Sequence, residues 1–246
     1  FIRVHARQSH GLVSHALASS IKIIFREFDV LVAQLEHQLN VGQLSMQRMV
    51  YLLQPSARVL KLLSQLALRV WDKKGGELLD ILHDTLLEQG DAKGKALVLH
   101  LFSKAMGPFL EMLRRWIFDG ELHDSYSEFL VQVDRSMNRD ALSDDFNAQY
   151  WESRYTLSEG NIPKVLRHVA SRILTAGKYL SVVKGCIENG LNRKANGDGG
   201  VVDLDMPPPQ QLELDSEGSV NGITTIVETA YYYSSKALLK LLEEGH

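Results

Sequence analysis

Four carboxylates, Asp119, Glu121, Asp124 and Glu128, fall within one short stretch of the chain. Acids this close in sequence could share general acid and base work, or offer hard oxygen ligands to calcium. Their spacing does not follow that of an EF-hand loop. A second reading needs no ligand. Asp124 or Ser125 can cap a helix or turn, and Ser125-x-x-Glu128 has the form of a capping box. Capping is the expected role.

Other reactive residue types form no constellation. Gly90-Asp91-Ala92-Lys93-Gly94-Lys95-Ala96 has three residues between its glycines and Ala96 after the lysine. A phosphate-binding Walker loop needs four and then Ser or Thr, so an ordinary turn before a helix is expected. His5, His10 and His15 recur every five residues. On a helix, neighbours at that spacing lie about 140° apart and cannot converge on a metal. Cys186 is expected as a small core residue, and no Gly-x-Ser-x-Gly elbow is present. Tyr231-Tyr232-Tyr233 lacks the basic groove of a single-strand nucleic-acid platform and is expected in a core or interface. No catalytic, cofactor or metal site is expected, and the chain reads as a non-enzyme.

Length and composition bound the remaining classes. The 246 residues are 45% hydrophobic, ample for a sizeable core. A net charge of -3 argues against non-specific nucleic-acid binding. That average conceals a segregation, because residues 195–222 hold six acids (Asp198, Asp203, Asp205, Glu213, Asp215, Glu217) and no Lys or Arg. Removing those six of the 30 acids leaves 24 against 27 basic residues, so the rest is slightly basic. A single cysteine permits no intrachain disulfide and suggests a reducing compartment. No apolar run approaches about 18 residues, so no membrane span is expected. The opening Phe1-Ile2-Arg3-Val4-His5 and the close at Leu241 to His246 read as a piece of a longer chain.

Those residues must be positioned by helices. Apolar residues at Leu17, Ile21, Ile24, Phe28, Val32, Leu35 and Leu39 predict a helix over 9–39, stopped by Asn40-Val41-Gly42. A second is predicted from Leu44 to Trp71, capped by Ser45, with a kink or break at Pro55. A third spans Glu77 to Gln89. A fourth, capped by Asp91, runs to Asp119 on the stripe Val98, Leu101, Ala105, Phe109, Met112, Trp116 and bends at Gly107-Pro108; Gly120 ends it. Then the period changes. Phe129 to Val133 and the alternating Trp151 to Leu157 predict a small β-hairpin whose aromatic face packs on helices. Helix resumes over 162–188, with Pro163 in its first turn and the stripe Val165, Val169, Ile173, Ala176, Leu180, Val183, closed by Gly190. The acidic stretch holding Pro207-Pro208-Pro209 predicts a disordered linker over 190–221. A last helix over 222–244 carries Ile226, Ala230, Tyr233, Ala237, Leu238 and Leu241. The fold class is mainly α: a long-helix bundle or solenoid-like stack with one small β-hairpin.

The ordered motif Trp116-x-x-x-Gly120-x-x-x-Asp124-x-Tyr126-x-Glu128-Phe129 resembles the first conserved region of the gamma-tubulin complex proteins. The likeness continues through Tyr150-Trp151-x-x-x-Tyr155-Thr156-Leu157, Ile162-Pro163, and Thr175-Ala176-Gly177-Lys178-Tyr179-Leu180-x-Val182-Val183. Upstream, His10-Gly11-Leu12-Val13-x-His15-Ala16-Leu17 and Leu31 to Glu36 are similar to the component 2 branch. One departure is Ser125, where the family usually has proline; losing that preorganised turn should cost tenths of a kcal/mol to about 1 kcal/mol.

The resemblance implies a scaffold whose amino-terminal helical domain stands beside sibling subunits, while a carboxy-terminal domain holds gamma-tubulin to template microtubules. It implies residues 1–189 as the lateral-assembly domain, 190–221 as an insertion, and 222–246 as the first helix of the gamma-tubulin-binding domain. Residence in the cytoplasm and cytoskeleton, at a microtubule-organizing centre, follows from the same likeness. A helical adaptor or tethering-complex subunit unrelated to tubulin is the alternative that the helix pattern alone leaves open.

Overall fold

A computed structural model of the chain describes residues 11–134, 153–193, 210–215 and 218–244. Among these are six α-helices and one antiparallel pair of short strands. Two compact units divide at Pro108, and each is described by itself.

The first unit holds α1 (Leu12–Asn40), α2 (Met46–Arg69), α3 (Gly75–Glu88) and the first part of α4 (Ala92–Asp119). Its helix ends are written in local residues. After α1, Gly42 N–H bonds to Leu39 O (2.9 Å) and Gln43 N–H to Gln38 O (2.9 Å), the paired closure of a Schellman turn. Ser45 Oγ accepts from Arg48 N–H at the start of α2, and Asp91 Oδ2 accepts from Gly94 N–H (3.0 Å) at the start of α4. That carboxylate sits where a phosphate loop would need open backbone donors. The sequence Gly90 to Ala96 is therefore a cap.

α2 continues through Pro55 and α4 through Pro108, so the break expected as one outcome at Pro55 is not taken. A proline forfeits one backbone bond while the turns on either side keep theirs. By length and composition alone α4 would be long enough to cross a membrane, contrary to the expectation of no such run. Within the first unit its Val98, Leu101, Phe102, Ala105 and Met106 are buried, with the Phe102 ring 5.9 Å from that of His83.

Burial along α1 is uneven. Leu17 and Ile21 are core residues and Leu35 is buried, but Ile24, Phe28 and Val32 are half-buried and Leu39 is 61% exposed. α1 and α2 pack on each other and both reach α3. Over its far half, α1 thus has fewer helices to bury against than its stripe can serve. His15 is half-buried; His5 and His10 lie outside the described residues.

The second unit holds the end of α4, β1 (Val131–Val133), β2 (Tyr155–Leu157), α5 (Ala170–Arg193) and α6 (Asn221–Glu244). The strands pair Val131 with Leu157, Gln132 with Thr156 and Val133 with Tyr155. They are shorter than the predicted runs: Phe129 and Leu130 precede β1, and Trp151 lies outside the described residues. Tyr155 is buried while Thr156 is exposed, as the alternation requires.

The predicted helix from 162 begins as a 3-10 segment, Lys164–Val169, with Pro163 just before it. α5 proper then buries Ile173, Ala176, Leu180 and Val183, and runs past Gly190. Cys186 falls off that stripe and is exposed, not in the core. Residues 210–215 and 218–220 of the acidic stretch are described, with Leu212 and Val220 buried.

α6 packs along α5 within the same unit. Its buried stripe is Ile223, Val227, Ala230 and Ser234, which shares only Ala230 with the predicted one. The ring of Tyr231 stacks on Tyr179 (6.3 Å), Arg172 pairs with Glu228, and Tyr232 is left exposed.

The uneven burial of α1 has a measurable consequence. Leu17→Ala should destabilise the chain by about 2–5 kcal/mol, whereas Leu39→Ala on the same predicted stripe should change stability by about 0.5 kcal/mol or less. Urea unfolding of both variants checks it; equal losses would show that the far half of α1 is packed in solution.

Candidate functional site

The carboxylate-rich stretch begins where α4 ends, and one tryptophan sets its position. Trp116 is fully buried, and its Nε1–H donates to the Ile173 carbonyl of α5 at 2.8 Å. The indole lies flat against α5 because residue 177 is glycine. A Cβ built there would stand 1.9 Å from Trp116 Cε2 and 2.3 Å from Nε1, well inside any van der Waals distance. On the other side Tyr155 of β2 meets the indole edge-on, ring centroids 4.9 Å apart.

One turn later Gly120 ends the helix at φ 60°, a left-handed conformation that side chains resist. A Cβ there would also meet Leu180 Cβ at 2.9 Å and Ser181 N at 3.0 Å. Ser181 Oγ donates to the Gly120 carbonyl at 2.8 Å, meeting an acceptor that the helix end leaves open. Gly177 and Ser181 are four apart on α5, so two small residues on one face admit the end of α4.

The loop beyond Gly120 is closed by Asp124. Its Oδ1 accepts from Tyr126 N–H (3.1 Å) and its Oδ2 from Phe129 N–H (2.8 Å). No helix begins here, so the capping-box form of Ser125-x-x-Glu128 is not realised; Asp124 alone caps a turn. Ser127 sits at φ 55°, with its carbonyl held by Asn161 Nδ2–H at 2.9 Å. Glu128 is buried, and the Phe129 ring packs 5.3 Å from that of Phe109.

Two of the four acids meet separate partners. Glu121 meets Lys184 Nζ at 3.2 Å, and that hydrogen bond holds its carboxyl below the ordinary range. Asp124 serves backbone donors, and no cluster of three metal-ligating side chains occurs among the described residues. A groove of about 350 Å³ runs along β1, lined by Leu122, Asp124, Ser125, Ser127 and Val131 to Val133. Among the described residues that line it, no nucleophile is paired with a base. Back on α4, Arg114 hydrogen-bonds Glu111 in a fork, with Arg115 beside it, and holds that carboxyl at about 2.

Of the residues singled out by motif, Trp116, Gly120, Tyr155 and Gly177 converge on one joint, and Asp124, Tyr126, Glu128 and Phe129 form the loop leaving it. Lys178 and Tyr179 do not join it: both are half-buried, and Tyr179 turns to α6. Trp151 lies outside the described residues. The motif omitted Ser181, Lys184, Asn161 and the Ile173 carbonyl; only the Gly177-x-x-x-Ser181 spacing signalled any of them.

Over residues 1–244 the chain matches the family described as Gamma tubulin complex component N-terminal. It is 34% identical to gamma-tubulin complex component 2 of Mus musculus, over 99% of this chain and 25% of the relative. For component 2 of Arabidopsis thaliana the identity is 29%, over 100% and 34%. Spindle pole body component alp4 of Schizosaccharomyces pombe is 26% identical, over 100% of this chain and 36% of its own. The chain thus spans about a quarter to a third of these curated relatives.

The joint is testable as a coupled pair. Gly177→Ala should cost more than about 3 kcal/mol in the natural chain. In a Trp116→Ala background, itself about 3–5 kcal/mol less stable, the same change should cost less than about 1 kcal/mol because the clashing ring is gone. A double-mutant cycle by urea unfolding reads the difference; additive losses would overturn the contact.

For Glu111 the native pKa is depressed, so the pair contributes above the ordinary carboxylate value of 4.5 and is lost as pH falls toward about 2. Both partners are partly exposed, which limits the effect to about 1 kcal/mol or less. Stability measured at about pH 5 and about pH 3 should fall less in Glu111→Gln than in the natural chain.

Proposed function

The chain belongs to the gamma-tubulin complex component family, and from that premise we propose that it is part of a non-enzymatic scaffold subunit. Such a subunit assembles laterally with sibling subunits to template microtubule nucleation at a microtubule-organizing centre. The observation that carries this reading is the family match along nearly the whole chain, with the motif residues gathered into a packed joint. The names of the relatives, gamma-tubulin complex component 2 and a spindle pole body component, support the same cytoskeletal location.

The geometry explains why a scaffold suits these residues. Of the acids that resembled catalytic groups, Asp124 caps a turn and Glu121 pairs with a lysine, so both hold a backbone path. In this reading the helices of residues 1–189 supply the lateral surfaces. α6, packed along α5, is the first helix of the domain that holds gamma-tubulin. The adaptor alternative shares the long helices but not the family match.

A full-length parent chain, affinity-purified at endogenous level, should recover both gamma-tubulin and sibling subunits. Recovery of neither would sink the reading. The isolated 246 residues should not bind gamma-tubulin in a pull-down with purified protein; measurable binding would move that site into this stretch.

A further inference from the structure

Three Asn-Gly steps occur in the chain, at Asn189, Asn196 and Asn221, and the fold treats them differently. An asparagine side chain can be attacked by the backbone nitrogen of the next residue. Glycine leaves that nitrogen unshielded because it has no Cβ. In a folded chain the rate depends on whether a helix holds the nitrogen and its backbone in place. Asn189-Gly190 lies inside α5, which runs on to Arg193. A helix ties each such N–H to the carbonyl four residues back, so reaction there requires the turn to open. Asn196 lies outside the described residues.

Asn221-Gly222 stands instead at the start of α6. Val220 O accepts from Thr224 N–H at 2.9 Å, so the Gly222 N–H falls before the first helical bond. Among the described residues that N–H has no acceptor, and the Asn221 side-chain amide has no partner. The Asn221 N–H is held only by Ser219 Oγ, at 3.4 Å. Both residues are exposed, and a Cβ built on Gly222 meets nothing within 4 Å. Nucleophile and electrophile are adjacent, uncommitted and open to water.

We infer that Asn221-Gly222 is a site of spontaneous isoaspartate formation. The Gly222 nitrogen forms a bond to Asn221 Cγ and gives up its proton. The bond from Cγ to Nδ2 breaks, and the amide nitrogen leaves with that proton as ammonia. Water then opens the cyclic imide. Cleavage at Cγ gives aspartate, and cleavage at the main-chain carbonyl gives isoaspartate. Water is the only co-reactant, and nothing is oxidised or reduced. In isoaspartate the main chain runs through Cβ, which adds one atom to the ring closed by the bond from Thr224 N–H to Val220 O. Thr224 also meets His168 Nε2 at 3.1 Å, from the 3-10 segment before α5. The modification therefore loosens the start of α6 where it meets that segment. The inference rests on the backbone of the second unit and not on the proposed function.

Ageing the whole chain in neutral buffer, with each Asn-Gly step followed by peptide mapping and mass spectrometry, tests it. Asn221 should be lost at least about tenfold faster than Asn189, because only Asn189 requires a helix interior to open. In denaturing urea the two should react alike. An isoaspartate-specific methyltransferase should label the Asn221 peptide of the aged chain. Gly222→Ala adds a methyl that the fold has room for, and should slow the loss at Asn221 at least about tenfold without lowering the melting temperature. Amide exchange should show lost protection at Thr224 in the aged chain but not in Asn221→Asp, which carries the same charge on an unaltered backbone. Equal rates at Asn221 and Asn189 in the folded chain, aspartate without isoaspartate, or loss untouched by Gly222→Ala would overturn the site. Unchanged protection at Thr224 in the aged chain would overturn its effect on α6.

Discussion

The second unit depends on a flat contact between an indole and a bare backbone. Trp116 rests on Gly177 at a separation that no side chain at 177 would allow, and its N–H is satisfied by the Ile173 carbonyl. Burying the ring supplies hydrophobic stabilisation, and the hydrogen bond removes the penalty of a hidden donor. From that contact the remaining geometry is built in sequence. The end of α4 is held close enough to α5 for Gly120 to touch Leu180 and for Ser181 to bond its carbonyl. The chain then turns at Asp124, enters β1, and β2 returns Tyr155 to the indole edge. Segments far apart in sequence thus close on one ring.

Much of this was legible because the signals are local. Gly42, Ser45, Asp91 and Gly120 each mark a helix end through bonds to residues within six positions, so their meaning does not wait for the tertiary fold. The stripe of α5 was legible from Ile173 onward, where the α-helical period holds, but not before it, where a 3-10 segment changes that period. The stripe predicted for α6 shares only Ala230 with the buried one, which includes Ser234, a hydroxyl bonded back to Tyr231 that can be buried without another partner. Gly177 belonged to a recognisable motif, yet its reason is a ring contributed from residue 116, which no local pattern contains.

The acids show why residue types mislead more readily than residue spacing. Asp119, Glu121, Asp124 and Glu128 look like a reactive cluster in one dimension. A loop leaving a helix sends successive side chains in different directions, and two of the carboxylates find separate uses. Asp124 replaces backbone acceptors for two N–H groups, and Glu121 meets a lysine sixty-three positions away. A carboxylate whose oxygens already accept two backbone bonds has little to gain by binding a cation, because that would cost those bonds. The crowding therefore reports the demands of a tight turn.

Amphipathicity says which face of a helix is apolar, not what covers it. In α5 the cover is intramolecular, and its apolar stripe is buried from Ile173 to Val183. In the α1 and α2 pair the same kind of pattern leaves Leu39, Met46, Val50, Tyr51 and Leu68 exposed. Two helices packed on each other can each bury one stripe, and any further stripe must go to another layer or to solvent. Large apolar side chains left in solvent are an aggregation hazard unless something covers them.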